Sequence, residues 1–272
     1  MALPNVYATP DDSVLLLQLT DSHLFAEDDG TLLGMNTRES FEQVLALVHA
    51  DGRQYDLMLA TGDQSQDGTP ESYQRFRQMT AGIRAPKRWI PGNHDESAVM
   101  QQLYGDHELL DSVTDVGNWR VTMLDSSVPG SVPGLLSNDQ LRLLEDSLAD
   151  EPDRHHLVCL HHHPISIACK WMEPIGLRNA EAFWALLDRF KQVRAVLWGH
   201  IHQDWDSQRG DVRLLASPST CIQFAPRSED FGLDRIAPGY RWLQLHPDGR
   251  IDTGVVRVPG FTFSENFGGS GY

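Results

Sequence analysis

Val14-Leu15-Leu16-Leu17-Gln18-Leu19 runs straight into Thr20-Asp21-Ser22-His23. The first six residues read as a buried strand. An acid and an imidazole follow, two residues apart, where the strand gives way to loop. The same arrangement recurs four times. Asp56–Thr61 leads into Gly62-Asp63, with Asp67 behind it, and Lys87–Ile90 leads into Gly92-Asn93-His94-Asp95. His156–Leu160 leads into His161-His162-His163, and Arg194–Trp198 into Gly199-His200-Ile201-His202. In an α/β sheet the loops beyond the carboxyl ends of neighbouring strands converge on one crevice. Residues far apart in sequence can therefore share one site.

The donor types point to metal. Carboxylate and imidazole suit manganese, iron and zinc. Cys159, Cys169 and Cys221 form no Cys-x-x-Cys pair, which excludes a sulfur-ligated zinc ribbon. Seven probable ligands among these segments are too many for one ion. One carboxylate, most naturally Asp63, would bridge two ions, and ions about 3.5–4 Å apart serve in-line displacement at phosphorus.

Helical patterns separate the strands. Glu39–Ala50 carries Phe41, Val44, Leu45 and Val48 at helical spacing. Thr69-Pro70 opens a helix whose Tyr73, Phe76 and Met79 face inward, with Thr as N-cap and Pro at the first helical position. Trp119–Asp125 reads as a strand, and Ser137-Asn138-Asp139-Gln140 as a capping box before Leu141, Leu144 and Leu148. Asn179 is expected to cap a helix carrying Phe183, Leu186, Leu187 and Phe190. From Val212 onward the strands Val212–Ala216, Tyr240–Leu245 and Ile251–Val258 follow one another without helices, which predicts completion of a second sheet.

The chain has 272 residues, 40% of them hydrophobic, enough for a substantial core. Donors spread from Asp21 to His202 must converge, so residues 1–272 are read as one domain, with 259–272 as a mobile C-terminal tail. No stretch approaches the roughly 20 apolar residues of a membrane span. Met1–Asp12 lacks the basic segment of a secretory signal, and three unpaired cysteines fit a reducing cytoplasm. A net charge of −16 argues against a nucleic-acid polymer or an anionic membrane as partner. A small phosphate substrate stays compatible, because bound cations would dominate the local field.

The order Asp-x-His, Gly-Asp, Gly-Asn-His-Asp, His, Gly-His-x-His is similar to that of the calcineurin-like metallophosphoesterases. Longer stretches resemble the bacterial 3′,5′-cyclic-AMP phosphodiesterases of that family: Leu32-Leu33-Gly34-Met35-Asn36-Thr37, His161–Pro164 with Leu177-Arg178-Asn179, Ser217–Phe224, and Ile236-Ala237-Pro238-Gly239. The resemblance implies an α/β fold of two mixed β-sheets packed face to face with helices outside, an α/β/β/α sandwich. It implies hydrolysis of cyclic AMP to 5′-AMP by two divalent metal ions, Fe²⁺ and/or Mn²⁺. One ion would take Asp21, His23, Asp63 and His202; the other would take Asp63, Asn93, His161 and His200. His94 would be the catalytic acid, and His23, Asp63, Asn93, His94 and His202 would face the substrate. The alternatives are other esters on the same fold (glycerophosphodiesters, 2′,3′-cyclic nucleotides, monoesters) and a non-catalytic scaffold, which would be expected to lack ligands or the acid.

Individual residues carry more than one reading. Asp21 and His23 are expected to share a face because i and i+2 do so in an extended segment. His161, directly off its strand, is preferred over His162 as the ligand. Asp67, Asp95 or a backbone carbonyl could orient His94. Trp171, Trp205 and Phe224 could stack on a purine or simply pack. Gly62, Gly92 and Gly199 allow tight turns beside ligands. His49, His107, His155, His156 and His246 read as surface residues.

Overall fold

A computed structural model describes residues 12–262, so most of the expected tail, 263–272, lies outside the described residues. Eleven strands among those residues build two sheets. In chain order they are β1 (Val14–Leu19), β2 (Leu57–Thr61), β3 (Lys87–Ile90), β4 (Val113–Val116), β5 (Trp119–Met123), β6 (His155–Cys159), β7 (Val193–Trp198), β8 (Trp205–Arg209), β9 (Val212–Ala216), β10 (Gly239–Leu245) and β11 (Ile251–Arg257). The helices of eight or more residues are α1 (Thr37–Ala50), α2 (Pro70–Met79), α3 (Ser97–Tyr104), α4 (Asn138–Asp150) and α5 (Ala180–Leu187). No described helix is long and apolar enough to cross a membrane.

The layers follow from the two faces of β1. Leu17 and Leu19 pack with Phe41, Val44, Tyr73, Phe76 and Met100 from α1, α2 and α3. Val14 and Leu16 turn the other way, onto Trp119, Val121, Leu157 and Leu197 of the second sheet. A strand buried on both faces has no polar side to show, which is why β1 reads as a run rather than an alternation. On the far side, Leu144 and Leu148 of α4 and Phe183, Leu186 and Leu187 of α5 cover Val158, Val196 and Leu214. The result is the expected α/β/β/α sandwich.

The first sheet has the order β11-β10-β1-β2-β3 and the second β8-β9-β7-β6-β5-β4. β1, β2 and β3 run parallel, as do β5, β6, β7 and β9. The carboxyl ends of β1, β2, β3, β6 and β7 deliver the five donor segments.

Several local expectations need correction. Only Val212–Ala216 joins the second sheet; β10 pairs antiparallel with β1, and β11 with β10, so the last two strands extend the first sheet. Pairing partners lie far away in sequence, and a local pattern does not reveal them. Ser137 caps α4 by accepting from Gln140 N, but the Gln140 side chain accepts from Asp125 N instead of closing a box. Asn179 precedes α5 without a side-chain capping bond. Its amide exchanges two hydrogen bonds with the Leu136 backbone, and Phe190 falls beyond the helix end. His156 and His246 are buried rather than on the surface.

Polar side chains interrupt the inter-sheet core at Gln18 and at its register partner Arg241. Gln18 is fully buried and donates to Thr61 Oγ1 (2.8 Å) and to the Trp198 carbonyl (3.1 Å). Its own carbonyl accepts from Ser217 Oγ. Thr61 and Trp198 stand immediately before the Gly62 and Gly199 loops, so this amide ties β1, β2, β7 and the segment after β9 together just beneath the donors. Gln18→Leu keeps the bulk but strips these buried groups of a partner, and should destabilise the metal-free protein by about 2–3 kcal/mol. A urea midpoint that falls at unchanged m-value would report it; an unmoved midpoint would show that the clasp contributes nothing.

Candidate metal centre

The donor segments reach the crevice through unusual backbone. Asp21 (φ 55°), His23 (49°), Asp63 (51°), His200 (65°) and His202 (48°) all occupy the left-handed region, and they are five of the eight non-glycine residues that do so among those described. Asp and His tolerate this region better than most residues. Asp21 and His23 therefore do not share the face of an extended segment, as their spacing suggests. Their backbone curls over the strand end and is fixed to the next loop: Asp21 N donates to Gly62 O (3.0 Å), and His23 N to Asp63 O (2.9 Å). Asp21 in turn accepts from Thr20 Oγ1 (2.6 Å) and from His200 N (3.1 Å), joining the first segment to the last.

Four imidazoles are aimed by carbonyl oxygens. His161 Nδ1 donates to Thr61 O (2.8 Å), His202 Nδ1 to Ile222 O (2.9 Å), and His200 Nε2 to Ile175 O (3.1 Å). His23 Nδ1 donates to Gln66 Oε1 (2.6 Å). A carbonyl oxygen can only accept, so in each neutral ring the opposite nitrogen carries a lone pair. These lone pairs converge. His23 Nε2 lies 3.2 Å from His202 Nε2, which lies 3.2 Å from Asp21 Oδ1. His161 Nε2 lies 3.2 Å from Asp63 Oδ2 and 3.2 Å from Asn93 Oδ1. His200 Nδ1 is buried with no donor facing it.

Charge follows from this crowding. Burial pushes His23 down to about 3 and holds His200 well below the usual imidazole range. Burial acts the same way on His161, but the Asp63 and Asp21 carboxylates outweigh it and lift that imidazole to about 9. Burial would raise Asp63, yet the facing His161 and His94 hold it well below the carboxylate range. In the absence of a cation, a proton on His161 is what reconciles these acceptors.

A calcineurin-like phosphoesterase family model matches residues 14–204. The chain belongs to that family. Among its relatives, the 3′,5′-cyclic adenosine monophosphate phosphodiesterase CpdA of Pseudomonas aeruginosa is 56% identical over 262 residues, covering 96% of each chain. The protein of the same name from Escherichia coli K12 is 43% identical over 261 residues, 95% of each. A dimetal phosphatase from Danio rerio, only 15% identical, shares the fold with a TM-score of 0.62 over 90% of this chain and 99% of its own.

For a calcineurin-like phosphoesterase the donor set fits divalent metal ions on its own geometry. Asp21, His23 and His202 place ligand atoms within 4.8 Å of one another, and so do Asp21, Asp63 and His161. Asp63 Oδ2 is buried and faces the ring nitrogens of His161 (3.2 Å) and His23 (3.9 Å). The loops are shaped for close approach. A Cβ on Gly62 would lie 2.2 Å from His161 Nδ1, and one on Gly92 would lie 2.1 Å from Asp63 Oδ1. His94 stands at the half-buried side of the cluster, its backbone N donating to Asp63 Oδ1 (2.9 Å) and its ring edge-on to His23 with centroids 5.0 Å apart.

Neighbouring residues resolve into supporting roles. Of the histidine triplet, His161 faces Asp63, whereas both ring nitrogens of His162 are engaged, by Ser126 Oγ (2.8 Å) and Val132 O (2.9 Å). Asp67 accepts from Ala26 N, Ser65 Oγ and Thr69, and Asp95 from Gly92 N and Ser65 N, so both carboxylates brace loops. Phe224 is buried and stacked on His202, centroids 4.2 Å apart at 9°. Trp171 packs edge-on to Phe224, and Trp205 lies on the outer strand β8. Gln66 and Thr20 carry no such signal in the sequence; only the fold shows that they hold His23 and Asp21.

Metal uptake should therefore be linked to protons. A metal held by His161 would need that ring neutral, and the facing carboxylates lift it to about 9, so affinity should rise with pH through the neutral range and level off above that value. Titrating Mn²⁺ into the metal-free protein at pH 7, in buffers of different ionisation enthalpy, should release about one proton per site pair. Release near zero would refute a protonated His161.

Proposed function

We propose that the protein hydrolyses 3′,5′-cyclic AMP to 5′-AMP at this centre and so lowers the level of that nucleotide. One observation carries the reading: near end-to-end identity, at 56% and 43%, with relatives that bear this activity in their names. The site supports it, since every donor of the family pattern and its histidine acid are present and face one crevice. A non-catalytic scaffold would have no need to keep them.

In this reading Asp21, His23, Asp63 and His202 would hold one divalent ion, and Asp63, Asn93, His161 and His200 would hold a second. Asn93 adds a neutral oxygen where an anion must approach. We assign Fe²⁺ and/or Mn²⁺, consistent with oxygen and imidazole donors without thiolate. When bound, the ions supply Lewis acidity toward the phosphoryl oxygens and make water a usable nucleophile near neutral pH. Oxygen from water adds to phosphorus, its released proton passing to solvent, as the P–O3′ bond breaks. His94, on the open side of the cluster, donates its proton to the departing O3′. His23, Asp63, Asn93, His94 and His202 bound the space for the phosphate. We further propose that both sheets form one catalytic domain, since the donors from Asp21 to His202 share their crevice. Three free cysteines fit a cytoplasmic setting.

The test is kcat/KM of Mn²⁺- or Fe²⁺-loaded protein on 3′,5′-cyclic AMP, 3′,5′-cyclic GMP, 2′,3′-cyclic AMP, a glycerophosphodiester and a nitrophenyl monoester. Cyclic AMP should lead, yield 5′-AMP, and lose turnover with chelator. A tenfold lead by another ester, about 1.4 kcal/mol in transition-state binding, would leave the metal centre standing and overturn the substrate. His94→Ala should cut kcat about 100-fold or more with metal content kept, whereas Asp63→Ala should lose the metal. Equal metal content and equal residual activity in the two variants would refute this division of roles.

A further inference from the structure

The stack that backs His202 does not end at Phe224. Phe231 meets Phe224 with ring centroids 5.8 Å apart and Trp171 with centroids 5.1 Å apart, both edge to face. The three rings are fixed from behind. Trp171 Nε1 donates to Ser228 Oγ (3.2 Å), and the Lys170 backbone donates to Ser228 O (2.9 Å). A short ladder pairs Phe224 with Leu233, and Ala225 N donates to Gly232 O (2.8 Å), which folds the intervening loop back and sets Phe231 beside the pair. Phe224 is spent as the backing of His202 and Trp171 is partly covered, but Phe231 is 39% exposed. Of the large apolar side chains exposed to that degree among the described residues, Val132, Leu135, Phe231 and Ile236, it alone is aromatic.

Two ring-to-ring steps, of 4.2 Å and 5.8 Å, separate the imidazole of His202 from this open ring. Those two steps bound how far the Phe231 ring can lie from His202, and the base of a nucleotide whose phosphate faces His202, one ribose away, falls within that bound. We infer that Phe231, buttressed by Trp171 and Phe224, is the platform on which the purine base of the substrate stacks, and that it makes the enzyme favour purine over pyrimidine cyclic nucleotides. The inference rests on the cyclic-nucleotide reading of the metal centre. Stacking on a fixed aromatic needs no hydrogen-bond match and grows with the area of the base. It therefore separates purines from pyrimidines without separating adenine from guanine. The ring lies remote from the reacting bond and contributes equally to ground and transition states, so its loss falls on KM.

The metal-loaded parent and Phe231→Ala are compared on 3′,5′-cyclic AMP, 3′,5′-cyclic CMP and the 3′,5′-cyclic phosphate of 1-deoxyribose, which has no base. Phe231→Ala should raise KM for cyclic AMP about tenfold at unchanged kcat. It should narrow the gap to cyclic CMP and leave the base-free ester unaffected, and Phe231→Trp should restore the parent values. An unchanged KM for cyclic AMP in Phe231→Ala, with the parent active, would overturn the platform and leave the phosphodiesterase in place. An equal rise in KM for the base-free ester would also overturn it, since Phe231 would then only shape its loop. A parent that turns over none of the cyclic nucleotides would take down both readings, which sets that failure apart from the other two.

Discussion

Lone pairs meeting lone pairs are the constraint on which this structure turns. Imidazole nitrogens and carboxylate oxygens face one another at 3.2 Å across the crevice, an arrangement that repels unless positive charge sits among them. Each ring is kept in this posture by a carbonyl oxygen on its far nitrogen. Those carbonyls come from the end of β2 at Thr61, the loop after it at Gln66, and the distant segments at Ile175 and Ile222. The site is thus assembled by the outer ring of acceptors as much as by the donors, as in metal centres generally.

The backbone cost is met in the same place. Five left-handed positions in the donor segments cost about 1 kcal/mol or more each, and they persist because neighbouring loops over-determine them. The Asp-x-His loop is stitched to the Gly-Asp loop through two backbone hydrogen bonds, and Asp21 reaches across to the amide of His200. Beneath them Gln18 clasps both sheets. Local repulsion and local strain are therefore held by a packed sandwich. A bound divalent cation relieves the first and rewards the second, so occupancy and fold stability are linked.

Much of this was legible in the sequence, for identifiable reasons. Strand runs ending in Asp, Asn and His are visible because burial on both faces erases polar alternation and because the donor chemistry is distinctive. The place of His161 directly after its strand, together with the family resemblance at that point, preferred it to His162, whose nitrogens turn to Ser126 and Val132. What could not be read is what every residue carries equally. Thr61, Ile175 and Ile222 act through backbone carbonyls, which no residue type announces. Left-handed φ at Asp21 and His23 looked, by spacing, like an extended segment. The destination of β10 and β11 depends on a partner more than two hundred residues away, and Phe231 gains its place only through the loop that returns it to Trp171.

That return of the chain to its beginning has a temporal side. β1 carries Asp21 at its end, yet one of its two neighbours is Gly239–Leu245. During synthesis the early donors emerge on a strand that keeps one open edge until the chain has been made as far as Leu245. Contacts of such sequence separation form late and slowly. The crevice can take its final shape only after Gly239–Leu245 has emerged, so a nascent chain cut short of that strand has no finished crevice.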